Sequence, residues 1–140
     1  MAGLSPKLPI VRDSADGYAL TQTYTEMISQ NLKNLLLTIP GERMMDPLFG
    51  VGLKKFLFEQ QDISTYSVIH ATILQQVKAY MPFIDILDIE FFGPNGGWSP
   101  NEGQFSPPEW NTDPNRLQMK IYFTIVPLGQ QSTLDLDLEV

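Results

Sequence analysis

The sequence predicts an α+β fold in which N-terminal helices pack on a three-stranded antiparallel sheet. Three observations predict it. Between Thr21 and Tyr80 the apolar residues recur at spacings of three and four, the period of helices with one buried face. After Pro82 the period changes to two, the period of strands with one buried face. Three such alternating segments follow one another, and the single apolar face they make needs a cover that the helices can supply.

The chain has 140 residues, enough for one hydrophobic core, with 43% hydrophobic and 18% charged residues. No run of about 18 apolar residues is present, so no membrane span is expected. Met1 to Leu20 lacks the apolar centre of a signal peptide, which predicts a protein made and used without Sec export. With no Cys, disulfides and thiolate metal sites are excluded. Residues 1–60 carry six Lys/Arg and six Asp/Glu, whereas residues 61–140 carry three and ten, so the whole formal charge of −7 lies in the second half. That sign opposes binding to phosphate or nucleic acid. It fits either a solvated acidic face or a docking surface for a basic partner segment.

Residues 1–20 read as an extended arm: Pro6 and Pro9 oppose helix, and Ala15-Asp16-Gly17 marks a turn. Such an arm is expected to be disordered alone and ordered by a neighbour. Residues 21–140 then form a single α+β domain. The first helix spans about Thr21 to Thr38, with Tyr24, Met27, Ile28, Leu32 (or Asn31), Leu35 and Leu36 on its stripe. Thr21 or Thr23 caps it, and Pro40-Gly41 stops it. Leu53, Phe56 and Leu57, with Val51 as a further candidate, predict a short helical turn. Asp62 or Ser64 caps a longer helix to about Tyr80, with Tyr66, Ile69, Ile73, Val77 and Tyr80 on one stripe widened by Leu74.

The strands follow. Ile84, Ile86, Ile89 and Phe91 alternate with acids, and a slip at Leu87 predicts a bulge. Leu117 to Ile125 alternates cleanly, Pro127 and Gly129 mark a turn, and Leu134, Leu136, Leu138 and Val140 alternate with Asp135, Asp137 and Glu139. Between the first two strands lies a long loop insertion, residues 93–115, with five Pro, four Gly, Trp98, Phe105 and Trp110. A disordered loop rarely carries two Trp, so these aromatics either cap the loop locally or contact another protein.

The connection from Thr38 to Glu59 is the least ordinary segment. It holds Gly41, Gly50 and Gly52, Pro40 and Pro47, and Arg43 between the acids Glu42 and Asp46. Glycines there permit unusual dihedrals or close backbone approach. Arg43 can bind a carboxylate through two parallel hydrogen bonds and so fix a register, with Glu59 as an internal partner. Catalysis fits these residues poorly. A glycosidase needs one carboxyl with a raised pKa, and an adjacent Arg acts in the opposite direction on Glu42 and Asp46. His70 is the only His, so a shared imidazole metal site is excluded; no phosphate-cradling Gly motif or nucleophile elbow is present. No catalytic, cofactor-binding or metal residue is assigned. The last strand, if it lies at a sheet edge, offers unpaired backbone groups that another chain can complete.

The pattern Gly41-x-Arg43-x-x-Asp46-Pro47-x-Phe49-Gly50-x-x-Leu53, followed by Leu57-Phe58-Glu59, resembles the small wedge protein of contractile-tail baseplates. That family occurs in T-even-type and related contractile phages and in type VI secretion baseplates, and some members carry a historical lysozyme label. The order of elements after the motif also matches, over about residues 24–140. Pro82 is kept where the family often has Glu-Pro-Arg, but Met81 and Phe83 replace both charges.

The resemblance implies a non-enzymatic virion component, assembled in the host cytoplasm, that links wedge subunits to the first sheath ring and initiates sheath assembly by strand addition. It implies six copies around the tail axis, with larger wedge subunits and the arms of the sheath protein as partners, and neither nucleic acid nor membrane. The helix carrying Tyr24, Ile28, Leu32, Leu35 and Leu36 becomes the wedge-binding element. The strand Leu134, Asp135, Leu136, Asp137 and Leu138 becomes the sheath acceptor, and Trp98, Phe105 and Trp110 a loop contact. A peptidoglycan hydrolase of the tail is the alternative.

Overall fold

A computed structural model of the protein describes residues 3–14, 17–93, 96–105 and 115–139. The arm is a nested hairpin: β1 (Ser5–Pro6) pairs antiparallel with β4 (Leu20–Thr21), and β2 (Arg12–Asp13) with β3 (Gly17–Tyr18). The arm lies on the chain's own first helix. The Gln30 amide accepts from Leu8 N–H at 3.0 Å and donates to the Pro6 carbonyl at 2.9 Å, and Lys7 lies 3.8 Å from Glu26.

Helix α1 runs Tyr24–Leu37. Of the two candidate caps it uses Thr23, whose hydroxyl accepts from Glu26 N–H at 3.2 Å. It ends at Thr38, which returns both its N–H and its hydroxyl to the Asn34 carbonyl. A 3₁₀ helix follows at Leu53–Phe58, then α2 at Ile63–Tyr80, capped by Asp62 onto Thr65 N–H at 2.9 Å. Helix α2 buries Tyr66, Ile69, Ile73 and Val77, whereas Leu74 is exposed and does not widen the stripe.

The main sheet has five strands, not three. β5 (Ile84–Gly93), β6 (Gly96–Ser99), β7 (Gly103–Phe105), β8 (Arg116–Ile125) and β9 (Gln130–Glu139) lie in the order β7-β6-β5-β8-β9, every pair antiparallel. The extra two come from the long loop. Gly96 and Gly97 carry no side chain and so cannot display a period of two, yet Gly97 is where β6 needs space. A Cβ there would sit 2.5 Å from the Phe105 ring of β7. The predicted bulge is present as a register shift between Ile86 and Asp88. β9 begins four residues before Leu134, because the turn after Ile125 closes with Gly129 N–H on the Ile125 carbonyl at 2.9 Å and pairing starts at once.

The helices cover one face of this sheet. Leu32, Leu35, Leu36, Leu53, Ile69 and Ile73 meet Ile89, Phe91, Leu117, Ile121 and Phe123 in one core. The other face carries Glu90, Lys120, Tyr122 and Asp135. Among the described residues no helix is long and apolar enough to cross a membrane.

Candidate assembly interface

The segment between α1 and the 3₁₀ helix is built into the molecule from both sides. Val51 N–H donates to the Leu35 carbonyl at 3.1 Å, which satisfies one of the last carbonyls of α1. From α2, the Gln76 amide accepts from Gly50 N–H at 3.1 Å and donates to the Leu48 carbonyl at 3.1 Å. It therefore pairs with the loop backbone as a neighbouring strand would. Gly50 has φ 116°, and a Cβ on it would lie 2.2 Å from the Thr38 carbonyl oxygen. Glycine is required there on two grounds, dihedral and space. Gly50, Val51, Gly52 and Leu53 are buried, whereas Met44 (94%), Met45 (98%) and Leu48 (75%) stand out in solvent.

Arg43 does not pair with Glu59. Among the described residues the ion pairs are Lys7–Glu26, Arg116–Asp137 and Lys120–Asp135. Instead the Arg43 guanidinium lies 3.8 Å above the Phe49 ring. Phe49 meets Tyr80 edge-on at 4.9 Å, and the Tyr80 hydroxyl donates to Asp46 Oδ1 at 3.0 Å. Desolvation, then the bond to Asp46 and its charge, raise the Tyr80 pKa above its ordinary value and keep the phenol a donor. These residues border a cleft of about 350 Å³ between α1, the connecting segment and the end of α2. Glu42 turns back onto Ile39 N–H at 2.9 Å. Of Glu42, Asp46 and Glu59, Asp46 alone lines this cleft. Phe58 is 78% exposed, and Pro82 stands between Met81 and Phe83, which both line the cleft.

The five residues assigned to the wedge-binding helix divide. Ile28, Leu32, Leu35 and Leu36 are buried in the chain's own core, and Tyr24 is 57% exposed. They are therefore not one partner-facing stripe: the chain's own sheet and 3₁₀ helix take the first four. The exposed positions of α1 besides Tyr24 are Glu26, Asn31 and Lys33.

β9 lies at the edge of the sheet, with β8 on one side and no described strand on the other. Leu134, Leu136 and Leu138 turn to the core, Leu136 with 5% exposure. The acids on the opposite face are less free than their number implies. Arg116 on β8 makes two contacts to Asp137, one of them from Nε at 2.7 Å, and Lys120 lies 3.9 Å from Asp135. The bond from Arg116, chiefly, holds the Asp137 pKa below its ordinary value. Cross-strand cations thus answer two of the three acids of β9, Asp137 and Asp135, and leave Glu139.

Trp98 packs inward, stacked at 6.3 Å on Tyr66 and tilted at 5.9 Å to Phe91; Phe105 meets Phe92 edge-on at 5.9 Å. Both therefore act as a local cap on the sheet. Trp110 lies outside the described residues. Sequence reasoning missed Gln30 and Gln76: Gln30 reads as part of the polar face of α1, and Gln76 as a position beside the buried stripe of α2. Among the described residues no group of three or more His, Cys, Asp or Glu could hold a metal.

Comparison with known proteins fits this frame. The cryo-EM structure of the anti-feeding prophage baseplate contains a chain that is 23% identical, superimposes with a TM-score of 0.60, and covers 85% of this chain and 82% of its own. A crystal structure from Geobacter sulfurreducens, described as a candidate tail lysozyme, is 20% identical with a TM-score of 0.63, covering 87% and 96%. At these identities the likeness shows the fold. No curated protein matches the sequence. The sequence model described as "Baseplate wedge protein gp25" matches residues 22–126, from the start of α1 to the end of β8. The chain belongs to the baseplate wedge protein gp25 family.

Proposed function

We propose that this protein is a structural, non-enzymatic part of a contractile-tail baseplate that joins larger wedge subunits to the first sheath ring and starts sheath assembly by strand addition. The observation that carries the reading is β9. It is ten residues long, lies at the sheet edge, and is anchored from within by Leu136. An edge strand offers a row of backbone donors and acceptors, which an extended arm completes at little conformational cost to the receiver. The wedge contact is assigned to the exposed face of α1 with Tyr24, six copies form the ring, and the site of action is the virion tail.

A proline at Leu136 is a poor test, because that side chain is also core. The absence of Cys supplies a cleaner one. Thr133→Cys places a single thiol on an exposed β9 position. It should cross-link to the sheath subunit in assembled tails and leave assembly intact. Cross-links to wedge subunits alone would reject the acceptor strand. Cell-wall clearing by the purified chain, lost in Glu59→Gln, would reject the non-enzymatic reading in favour of a hydrolase.

A further inference from the structure

Arg43 carries five N–H donors on a planar fork, and among the described residues it has neither a hydrogen-bond nor an ion-pair partner. It is not a loosely solvated side chain. Phe49 supports the guanidinium from one face at 3.8 Å, Tyr80 supports Phe49 at 4.9 Å, and Asp46 fixes Tyr80 at 3.0 Å. Stacking uses the face of the guanidinium and leaves its in-plane donors free. A cation held this way loses little side-chain entropy when an acceptor arrives. The cleft beside it, about 350 Å³, has Asn31 and Asn34 of α1 along one wall and Phe83 as its exposed apolar surface, above the buried Leu35 and Met81.

We infer that this cleft is a recognition site for a carboxylate on an extended segment of another baseplate subunit, an Asp or Glu side chain next to an apolar residue. Charge complementarity selects the carboxylate: Arg43 is the cation of the lining, and its fork matches two carboxylate oxygens in one plane. The asparagine amides supply further donors. Asp46, the acid of the lining, already receives the Tyr80 hydroxyl on Oδ1 and serves to position the stack. The apolar wall selects the neighbouring residue, because Phe83 is 37% exposed and gains a cover when a partner side chain lies on it. The inference rests on the baseplate reading and gives it a contact separate from β9.

The test uses tail-producing cells that lack this chain and are complemented with wild type, Arg43→Gln or Arg43→Lys. Wild type must appear in purified tails; its absence would refute the baseplate reading itself. Given its presence, Arg43→Gln should lower the amount of this chain in tails about tenfold, and Arg43→Lys severalfold, since an ammonium keeps the charge but not the fork. Purified Arg43→Gln should keep its thermal midpoint within about 4 °C of wild type, because an exposed cation–ring stack such as that on Phe49 contributes little to stability. Wild-type incorporation of Arg43→Gln would overturn the inference, as would a larger fall in midpoint, which would make Arg43 a fold-stabilising residue. Imaging of wild-type tails should place a partner carboxylate on Arg43, and a cleft facing solvent there would overturn it equally.

Discussion

Replacing Gly50 with Ala tests whether the segment after α1 is wedged in place or merely connects two helices. Gly50 has φ 116°, a region that costs a residue with a side chain about 1–3 kcal/mol. The added methyl would lie 2.2 Å from the Thr38 carbonyl oxygen and 2.8 Å from its carbon. Both are backbone atoms at the end of α1, so the loop must move, not a rotamer. Movement strains Gly50 N–H on Gln76 and Val51 N–H on Leu35, each 3.1 Å and each contributing about 1 kcal/mol. The sum is about 3–5 kcal/mol, a large part of the ~5–15 kcal/mol that holds a domain folded. Gly41 is the control. It has φ 97°, but a methyl added there would meet nothing within 4 Å, so Gly41→Ala should cost only about 1–2 kcal/mol. Urea unfolding followed by circular dichroism measures both variants, with equal slopes required before midpoints are compared. If Gly50→Ala unfolds at the same urea concentration as Gly41→Ala, close packing at Gly50 does not hold the segment, and the reasoning fails.

Gln76→Ala removes both amide bonds to the loop and should destabilise the protein by about 1–2 kcal/mol in the same assay; Gln76→Glu, which keeps an acceptor for Gly50 N–H but faces the Leu48 carbonyl with a second acceptor, should not restore it. His70 gives a pH dependence. Burial, opposed by the nearby Asp88 charge, lowers its folded-state pKa from 6.5, so the unfolded chain takes up the proton first. That contribution to stability is complete above the unfolded value and is lost as pH falls through the folded one, and His70→Gln should flatten the urea midpoint between about pH 7 and pH 5.

What the sequence displayed was local. Thr23 and Asp62 cap because a short side-chain oxygen three residues before an unpaired N–H can do so anywhere, and the bulge at Leu87 is visible as a break in a two-residue period. The hairpin of β6 and β7 was not visible because glycine carries no hydropathy signal, and the space that Gly97 provides for Phe105 is set by a strand eight residues away. The partner of Arg43 was misread for a related reason. Charge in a sequence points to charge, but the 3₁₀ helix carries Glu59 away and Phe49 is the surface within reach. Gln30 and Gln76 bind backbone, which has the same composition everywhere, so no sequence pattern marks their targets. The stripe of α1 was correctly apolar, but apolarity alone does not distinguish a face that meets its own sheet from one that meets a partner.

The proposed role places different demands on the two ends of the chain, and the contacts follow that difference. A strand added to β9 would load the sheet through β8, and β8 sends Leu117, Met119, Ile121 and Phe123 into the core that Leu32 and Leu36 of α1 also occupy. Close-packed interiors have low compressibility, so a displacement at the edge strand reaches α1 through side-chain contact and not through the connecting loop. The loop must then avoid becoming a hinge. Val51 on Leu35, Gln76 on Leu48 and Gly50, and Tyr80 on Asp46 tie it to α1 and to α2 at separate points, so the helices cannot part without breaking several bonds together. The N-terminal hairpin is held differently, by the exposed Gln30 bonds and by the Lys7–Glu26 pair, contacts of the kind that contribute a few tenths to about 1 kcal/mol each. Rigidity is therefore concentrated between the candidate wedge helix and the candidate sheath strand, and the arm can be displaced from α1 at a cost that a modest partner interface supplies.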